Sequence, residues 1–193
     1  MNWPNRLTLA RFFLTLIFVA ALSWQFPFNY LLALALFVVA SITDYVDGEI
    51  ARRYGMVTDF GKLMDPLIDK IMMAAAFICL VPLHAIPAWA VVVVISREFL
   101  ITGLRLLAAS KGEVLSAEAL GKHKTGWQIA TVVYFLVLLA LAEFYGWKKM
   151  EEPVWFAQAW RLGGSALITI AVGLTLISGA GYLWKNRTVI QAR

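Results

Sequence analysis

The chain has 193 residues, of which 61% are hydrophobic and 15% charged, with a mean hydropathy of +0.75 and a formal net charge of +5. A soluble domain of this size carries about 25% charged residues, so the composition excludes an ordinary water-soluble enzyme and points to one polytopic membrane domain over 1–193. The cations are scattered around apolar spans, which argues against a nucleic-acid partner and for juxtamembrane contact with anionic membrane lipids.

In chain order, no charged residue occurs from Phe12 to Thr43, too long a stretch for one span by the rule of about 20 residues. It divides at Gln25-Phe26-Pro27-Phe28-Asn29, which predicts a first helix near Leu7–Trp24 and a second near Phe28–Arg53. The first helix lacks a small-residue cleavage site behind it and reads as an uncleaved span. Pro82 and Pro87 bracket a turn between helices expected near Gly61–Val81 and Ile86–Ala109. Thr125–Ala142 and Leu162–Trp184 complete a set of six spans. Cys79, the single cysteine, sits in an apolar run and has no disulfide partner in the chain.

Lysine and arginine set the orientation. The N-terminus, Asp44–Asp65, Arg105–Lys124 and the C-terminus carry two, three, four and three of them, against three on the opposite side (Lys148, Lys149, Arg161). Twelve against three predicts both termini in the cytosol. The expected fold is all-α, with six transmembrane helices and a polar cavity facing the cytosol.

That cavity is where the acids gather. The chain reads Asp44-x2-Asp47-Gly48-x2-Ala51-Arg52-x8-Gly61-x3-Asp65-x3-Asp69. At about 100° per residue, Asp44, Asp47, Gly48 and Ala51 share one arc of the second helix, while Gly61, Asp65 and Asp69 stack along the third. Each ionisable residue near a membrane interior costs roughly 2.5–3.5 kcal/mol on insertion scales, so such residues usually serve function. Four clustered carboxylates repel one another unless cations sit among them, most simply two divalent metal ions. Gly48, Ala51 and Gly61 leave room for a ligand to approach the backbone. The same acids can instead pair with Arg52, Arg53 or Lys62. Pro66 removes a backbone donor inside the third helix, where it either kinks the helix to aim Asp65 and Asp69 or is merely tolerated.

This pattern resembles the signature of the CDP-alcohol phosphotransferases, integral membrane enzymes of phospholipid synthesis, and all eight specified positions match. The resemblance implies that Asp44, Asp47, Asp65 and Asp69 hold two Mg2+ (or Mn2+) ions and that Asp69 is also the general base. It further implies that Gly48, Ala51, Arg52 and Gly61 line the cytidine diphosphate pocket, with Arg52 on a phosphate, and that the protein is a homodimer. Ser165, Thr169 and Gly173 form a small-residue ladder able to pack helices within or between chains.

The acceptor is read from cations. Arg97 and Arg105 lie eight residues apart on the fourth helix, and Lys122 and Lys124 open the fifth. Arginine grips phosphate bidentately, so an acceptor that itself bears a phosphate explains four cations near one site. Alternatively, Glu98 neutralises a neighbour and Arg105 and Lys122 snorkel to the interface. The segments Asn2–Arg11, Arg97–Arg105 and Gly121–Thr125 resemble the bacterial branch that forms phosphatidylglycerol phosphate. That branch implies an enzyme of the bacterial inner membrane, with CDP-diacylglycerol as donor and sn-glycerol 3-phosphate as acceptor. Asn5 and Thr8 either approach the nucleotide or cap the first helix. Rival acceptors within the family are inositol phosphate, phosphatidylglycerol (as in cardiolipin synthase) and serine. A divalent-cation transporter would spread its acids along a path through the bilayer and carry an internal repeat, and neither pattern is present.

Overall fold

The structure is a computed structural model that describes the backbone of residues 3–54, 59–110, 119–147 and 152–187, and the side chains of 9–43, 67–109, 123–147 and 152–187. Among the described residues every regular element is helical: α1 (Trp3–Ser23), α2 (Asn29–Tyr54), α3 (Asp59–Leu80), α4 (Ala88–Ser110), α5 (Ala119–Tyr145), α6 (Val154–Gln158) and α7 (Gly164–Lys185), with a π-helical turn at Ala159–Gly163 joining the last two. The first four run within a few residues of the bounds expected from sequence, whereas α5 starts at Ala119, well before the expected Thr125. Pro66 lies inside α3, which continues through it.

Each helix buries one stripe. On α1 it is Arg11, Thr15, Phe18 and Ala21; on α2, Asn29, Ala33, Phe37 and Ala40; on α3, Ile68, Met72, Ala76 and Leu80. These spacings of three and four are the period of a helix with one packed face. The opposite faces carry Phe13, Ile17, Val39, Ile42, Val92, Leu106, Leu176 and Ile177, large apolar side chains that are each more than half exposed. A bundle apolar on both sides is suited to lipid, where packing and internal hydrogen bonds rather than water exclusion hold helices together. Among the described residues, His123–Tyr145 and Val154–Lys185 are long and apolar enough to cross a membrane, while Leu9–Ser23 and Asn29–Thr43 are shorter apolar helices.

α1 packs against both α2 and α3, and α5 lies against α2, α3 and α7, with α4 against α3 and α7. The short turns are built tightly. Phe28 and His84 both take positive φ, at 63° and 56°, to reverse the chain. The Asn29 side chain donates to the carbonyls of Ala21 (3.1 Å) and Trp24 (3.4 Å), and so closes the α1–α2 corner. Glu143, at the end of α5, caps α2: its two carboxylate oxygens accept from the backbone N–H groups of Asn29 (3.0 Å) and Tyr30 (3.1 Å). A carboxylate there meets the positive end of the helix dipole and two N–H groups of the first turn, of which that of Asn29 also reaches the Phe26 carbonyl (3.2 Å).

The last helical stretch differs from expectation. It starts at Val154 rather than Leu162, because Pro153 opens it and Trp155, Phe156 and Trp160 belong to a ring cluster with Trp147 and Phe135. The carbonyl of Ala159, which accepts the Gly164 backbone N–H across the π turn, also accepts from the Tyr134 hydroxyl (2.8 Å). Gly163 and Gly164 follow, and a Cβ on either would collide with Tyr134 (2.1 Å) or with the buried ring of Phe135 (2.6 Å). α7 can therefore approach α5 only through glycine.

Substituting Gly164→Val is expected to destabilise the fold by about 1–3 kcal/mol through overpacking. Gly173→Ala, where no described atom lies within 4 Å of the new methyl, should be neutral. Thermal unfolding in detergent measures both, and equal effects would refute the glycine contact.

Candidate active site

Polar side chains concentrate at one end of the bundle. Arg11, near the start of α1, is buried, yet its Nη1 donates to Asp69 Oδ1 on α3 at 2.5 Å. The Asp69 side chain is 38% exposed against 2% for Arg11, so the arginine sits behind the carboxylate and fixes how it faces outward.

Beside Asp69 lies a cavity of about 250 Å³. Asp69, Lys70, Glu98, Thr125 and Gln128 give it polar walls, while Met72, Met73 and Ile129 make an apolar one. Ser41, one helical turn before Asp44, also borders it. Its buried hydroxyl oxygen has no hydrogen-bond partner among the described residues, so whatever fills the cavity, water or ligand, would satisfy it.

Glu98 on α4 gathers three cations. Lys124 of α5 pairs directly with it, Arg97 Nη1 lies 3.4 Å from Oε1, and Lys70 Nζ lies 4.0 Å from Oε2. The Lys124 side chain is only 3% exposed, and a buried ammonium is tolerable only beside an anion. Arg97 also donates from Nη2 to Ser178 Oγ on α7 at 3.1 Å. Two turns further along α4, Arg105 Nε donates to the Tyr182 hydroxyl at 3.3 Å, and its guanidinium carbon lies 5.4 Å from the Tyr182 ring centroid.

The structure thus places Asp69, Arg97, Arg105 and Lys124 at the same end of the bundle. Asp44, Asp47, Gly48, Ala51 and Arg52 belong to the last turns of α2, Gly61 and Asp65 to the first turns of α3, and Lys122 to α5. The side chains of these eight lie outside the described residues, as do those of Asn5 and Thr8. α1 begins at Trp3, so Asn5 and Thr8 stand inside the helix rather than at its cap. Among the described residues no three His, Cys, Asp or Glu side chains cluster as a metal site, and the other three aspartates of the four are outside that set. Ser165 and Thr169 face outward and bond back to their own helix, so the small-residue ladder is left on the outer surface.

Several participants were not singled out from sequence. In the sequence Arg11 is one of two flanking charges of the first span, and Lys70 stands beside the motif residue Asp69 without belonging to the motif. Thr175, Ser178 and Tyr182 lie in a span that reads as apolar, where polar residues at i, i+3 and i+7 are the available signal.

With this geometry in hand, comparison with known proteins is decisive. The sequence model of CDP-alcohol phosphatidyltransferase matches residues 1–177. The chain belongs to that family. It is 40% identical to the Bacillus subtilis CDP-diacylglycerol–glycerol-3-phosphate 3-phosphatidyltransferase, over 96% of this chain and 95% of that one. The Rickettsia bellii enzyme of the same name is 33% identical over 94% and 93% of the two chains. A Mycobacterium tuberculosis protein named probable phosphatidylglycerophosphate synthase is 32% identical over 93% of this chain and 81% of its own. Family membership and the uncovered apolar faces agree on a membrane protein.

Glu98→Gln should leave Lys124 buried without its carboxylate and lower stability by about 3 kcal/mol, the lower end for a broken buried pair because Glu98 is partly exposed. Chemical or thermal denaturation of the detergent-solubilised protein measures it. A loss below about 1 kcal/mol, the scale of an exposed pair, would show that Lys124 does not depend on Glu98.

Proposed function

We propose that this chain transfers the phosphatidyl group of CDP-diacylglycerol to sn-glycerol 3-phosphate, releasing CMP and phosphatidylglycerol phosphate. The observation that carries the reading is the gathering of Lys70, Arg97 and Lys124 around Glu98 next to the outward-facing Asp69 carboxylate. A cationic cluster beside a carboxylate is what an acceptor bearing both a phosphate and a reacting hydroxyl would need, and relatives named for this reaction align with nearly the whole chain.

In this reading Asp69 takes the proton of the 1-hydroxyl of glycerol 3-phosphate. The hydroxyl oxygen bonds to the lipid-bearing phosphorus, and the bond from that phosphorus to the bridging oxygen breaks with its electron pair leaving on CMP. Arg11 holds Asp69 in the orientation the transfer needs. Arg97, Arg105, Lys122 and Lys124 take the acceptor's phosphate, which charge-assisted contacts bind more strongly than a neutral alcohol. Gly48, Ala51, Arg52 and Gly61, with Asn5 and Thr8, line the nucleotide side. Asp44, Asp47, Asp65 and Asp69 offer only hard carboxylate oxygens, the donor set that suits Mg2+ or Mn2+, and these residues would hold the ions. When bound, such ions neutralise diphosphate charge and stabilise the leaving group.

The same reading takes 1–193 as one domain of six spans in a bacterial inner membrane, with both termini and the site in the cytosol, and the active form as a homodimer. α2 supports the placement: about 20 residues cross a bilayer core of about 30 Å, so a helix capped at Asn29 reaches the far boundary near its acidic motif. Another acceptor, inositol phosphate, phosphatidylglycerol or serine, is the second reading.

An acceptor panel with purified enzyme and CDP-diacylglycerol decides between them. Glycerol 3-phosphate should be used and free glycerol ignored, and faster turnover of serine or phosphatidylglycerol would overturn the choice of acceptor. Asp69→Asn should cost at least about 100-fold in kcat, the usual scale for losing a general base, and chelation should abolish turnover until Mg2+ or Mn2+ is restored. For sidedness, cysteine labelling from outside intact cells lacking Cys79 should reach position 149 and miss position 111. The opposite pattern would invert the orientation.

A further inference from the structure

We infer that α7 is a neutral platform that positions the two arginines of the acceptor site, with Ser178, Gly179 and Tyr182 as its positioning residues. The inference rests on the acceptor reading above and assigns work to a helix that otherwise looks like plain membrane span.

The inward face of α7 changes character along its length. Gly164, Ala171 and Val172 are small or apolar, after which Thr175, Ser178 and Tyr182 place three hydroxyls on the same buried stripe. Each hydroxyl is committed in a specific way. Thr175 Oγ1 donates to the carbonyl of Ala171 (2.6 Å) and accepts from Gln128 Nε2 on α5 (3.2 Å). Ser178 Oγ donates to the carbonyl of Thr175 (3.2 Å), so its lone pairs remain for Arg97 Nη2 at 3.1 Å. The Tyr182 hydroxyl accepts from Arg105 Nε (3.3 Å), and its ring lies beneath the guanidinium.

Gly179 completes the surface. A Cβ there would stand 3.0 Å from Arg97 Cγ, so the aliphatic stem of Arg97 lies directly across this glycine. A methyl group there is tighter than ordinary packing and would require the stem to give way by a few tenths of an ångström.

The chemistry of the contacts matters as much as their geometry. Glu98 neutralises charge where it binds, whereas serine, tyrosine and glycine carry none. They fix two flexible side chains without adding negative charge of their own, while Arg97 also keeps its contact to Glu98. Among the described residues, the contacts of Arg105 to α7 run through Nε and through the guanidinium carbon over the Tyr182 ring, not through the terminal Nη pair. Tyr182 is 2% exposed while Arg105 is open, so a rigid buried ring presents a cation to the side from which a phosphate arrives. Preorganised arginines bind a phosphomonoester without the cost of ordering them at each encounter.

The test is steady-state kinetics of the purified full-length enzyme with both substrates varied, for Gly179→Ala, Tyr182→Phe, Tyr182→Leu, Arg105→Ala and the double variant Arg105→Ala/Tyr182→Leu. Gly179→Ala and Tyr182→Leu should each raise KM for glycerol 3-phosphate by about five-fold or more while KM for CDP-diacylglycerol stays within about two-fold. Tyr182→Phe, which keeps the ring and the packing, should recover part of the loss. The double variant should be no worse than Arg105→Ala alone, because both changes remove one interaction. Equal rises in both KM values, a fall in kcat alone, or multiplying effects in the double variant would overturn the platform. If Gly179→Ala proves unstable, the near-isosteric Tyr182→Phe and the double variant still decide. If Arg105→Ala raises KM for glycerol 3-phosphate and Tyr182→Leu does not, the acceptor reading stands and the platform falls. If Arg105→Ala leaves that KM unchanged, the acceptor reading fails and the inference with it.

Discussion

The ion pairs of Glu98 tie together the end of the bundle where chemistry is possible. Lys124 is buried on α5, Arg97 and Glu98 are neighbours on α4, and Lys70 reaches over from α3. Charges inside an apolar bundle must be compensated locally, so the first three helices to be cross-linked this way also acquire a fixed relative position. Arg11 and Asp69 extend the same logic to α1. Pulling α4 away from α3 or α5, or α1 away from α3, would strand a charge.

The two ends of the bundle solve their polar demands differently. At the opposite end the only charged group in a packing role among the described contacts is Glu143, which serves backbone N–H groups at the start of α2 rather than a cation. Around it lie Tyr145, Trp147, Trp155 and Phe156 in successive ring contacts. Aromatic rings with a polar edge suit a membrane boundary and need no counter-charge. One end is therefore a passive seal, and the other holds the cations, the carboxylates and the cavity.

Close approach of helices sets the remaining geometry. Without water to drive apolar surfaces together, contact depends on how near two backbones come. Gly163 and Gly164 admit Tyr134 and Phe135 of α5, and Gly179 admits the stem of Arg97 from α4. The first contact seats α7 against α5, and the second sets the same helix against the stem of Arg97 on α4. Packing and site are linked through one helix.

Much of this was legible in the residues themselves. Apolar run lengths determine the helices, because a bilayer demands about 20 residues and internal satisfaction of every backbone group. Spacing alone put Asp44 and Asp47 on one helix and Asp65 and Asp69 on the next, since side-chain direction in a helix follows from residue number. The early start of the last helix was not legible, because it depends on a π turn that only the Tyr134–Ala159 contact and the ring cluster explain. Nor were the partners of Arg11, Lys124 and Arg105, which lie 58, 26 and 77 positions from Asp69, Glu98 and Tyr182. A one-dimensional pattern specifies which face of a helix a charge occupies. Which helix stands opposite that face is decided by side-chain volume and close approach, and these exist only once the bundle has assembled.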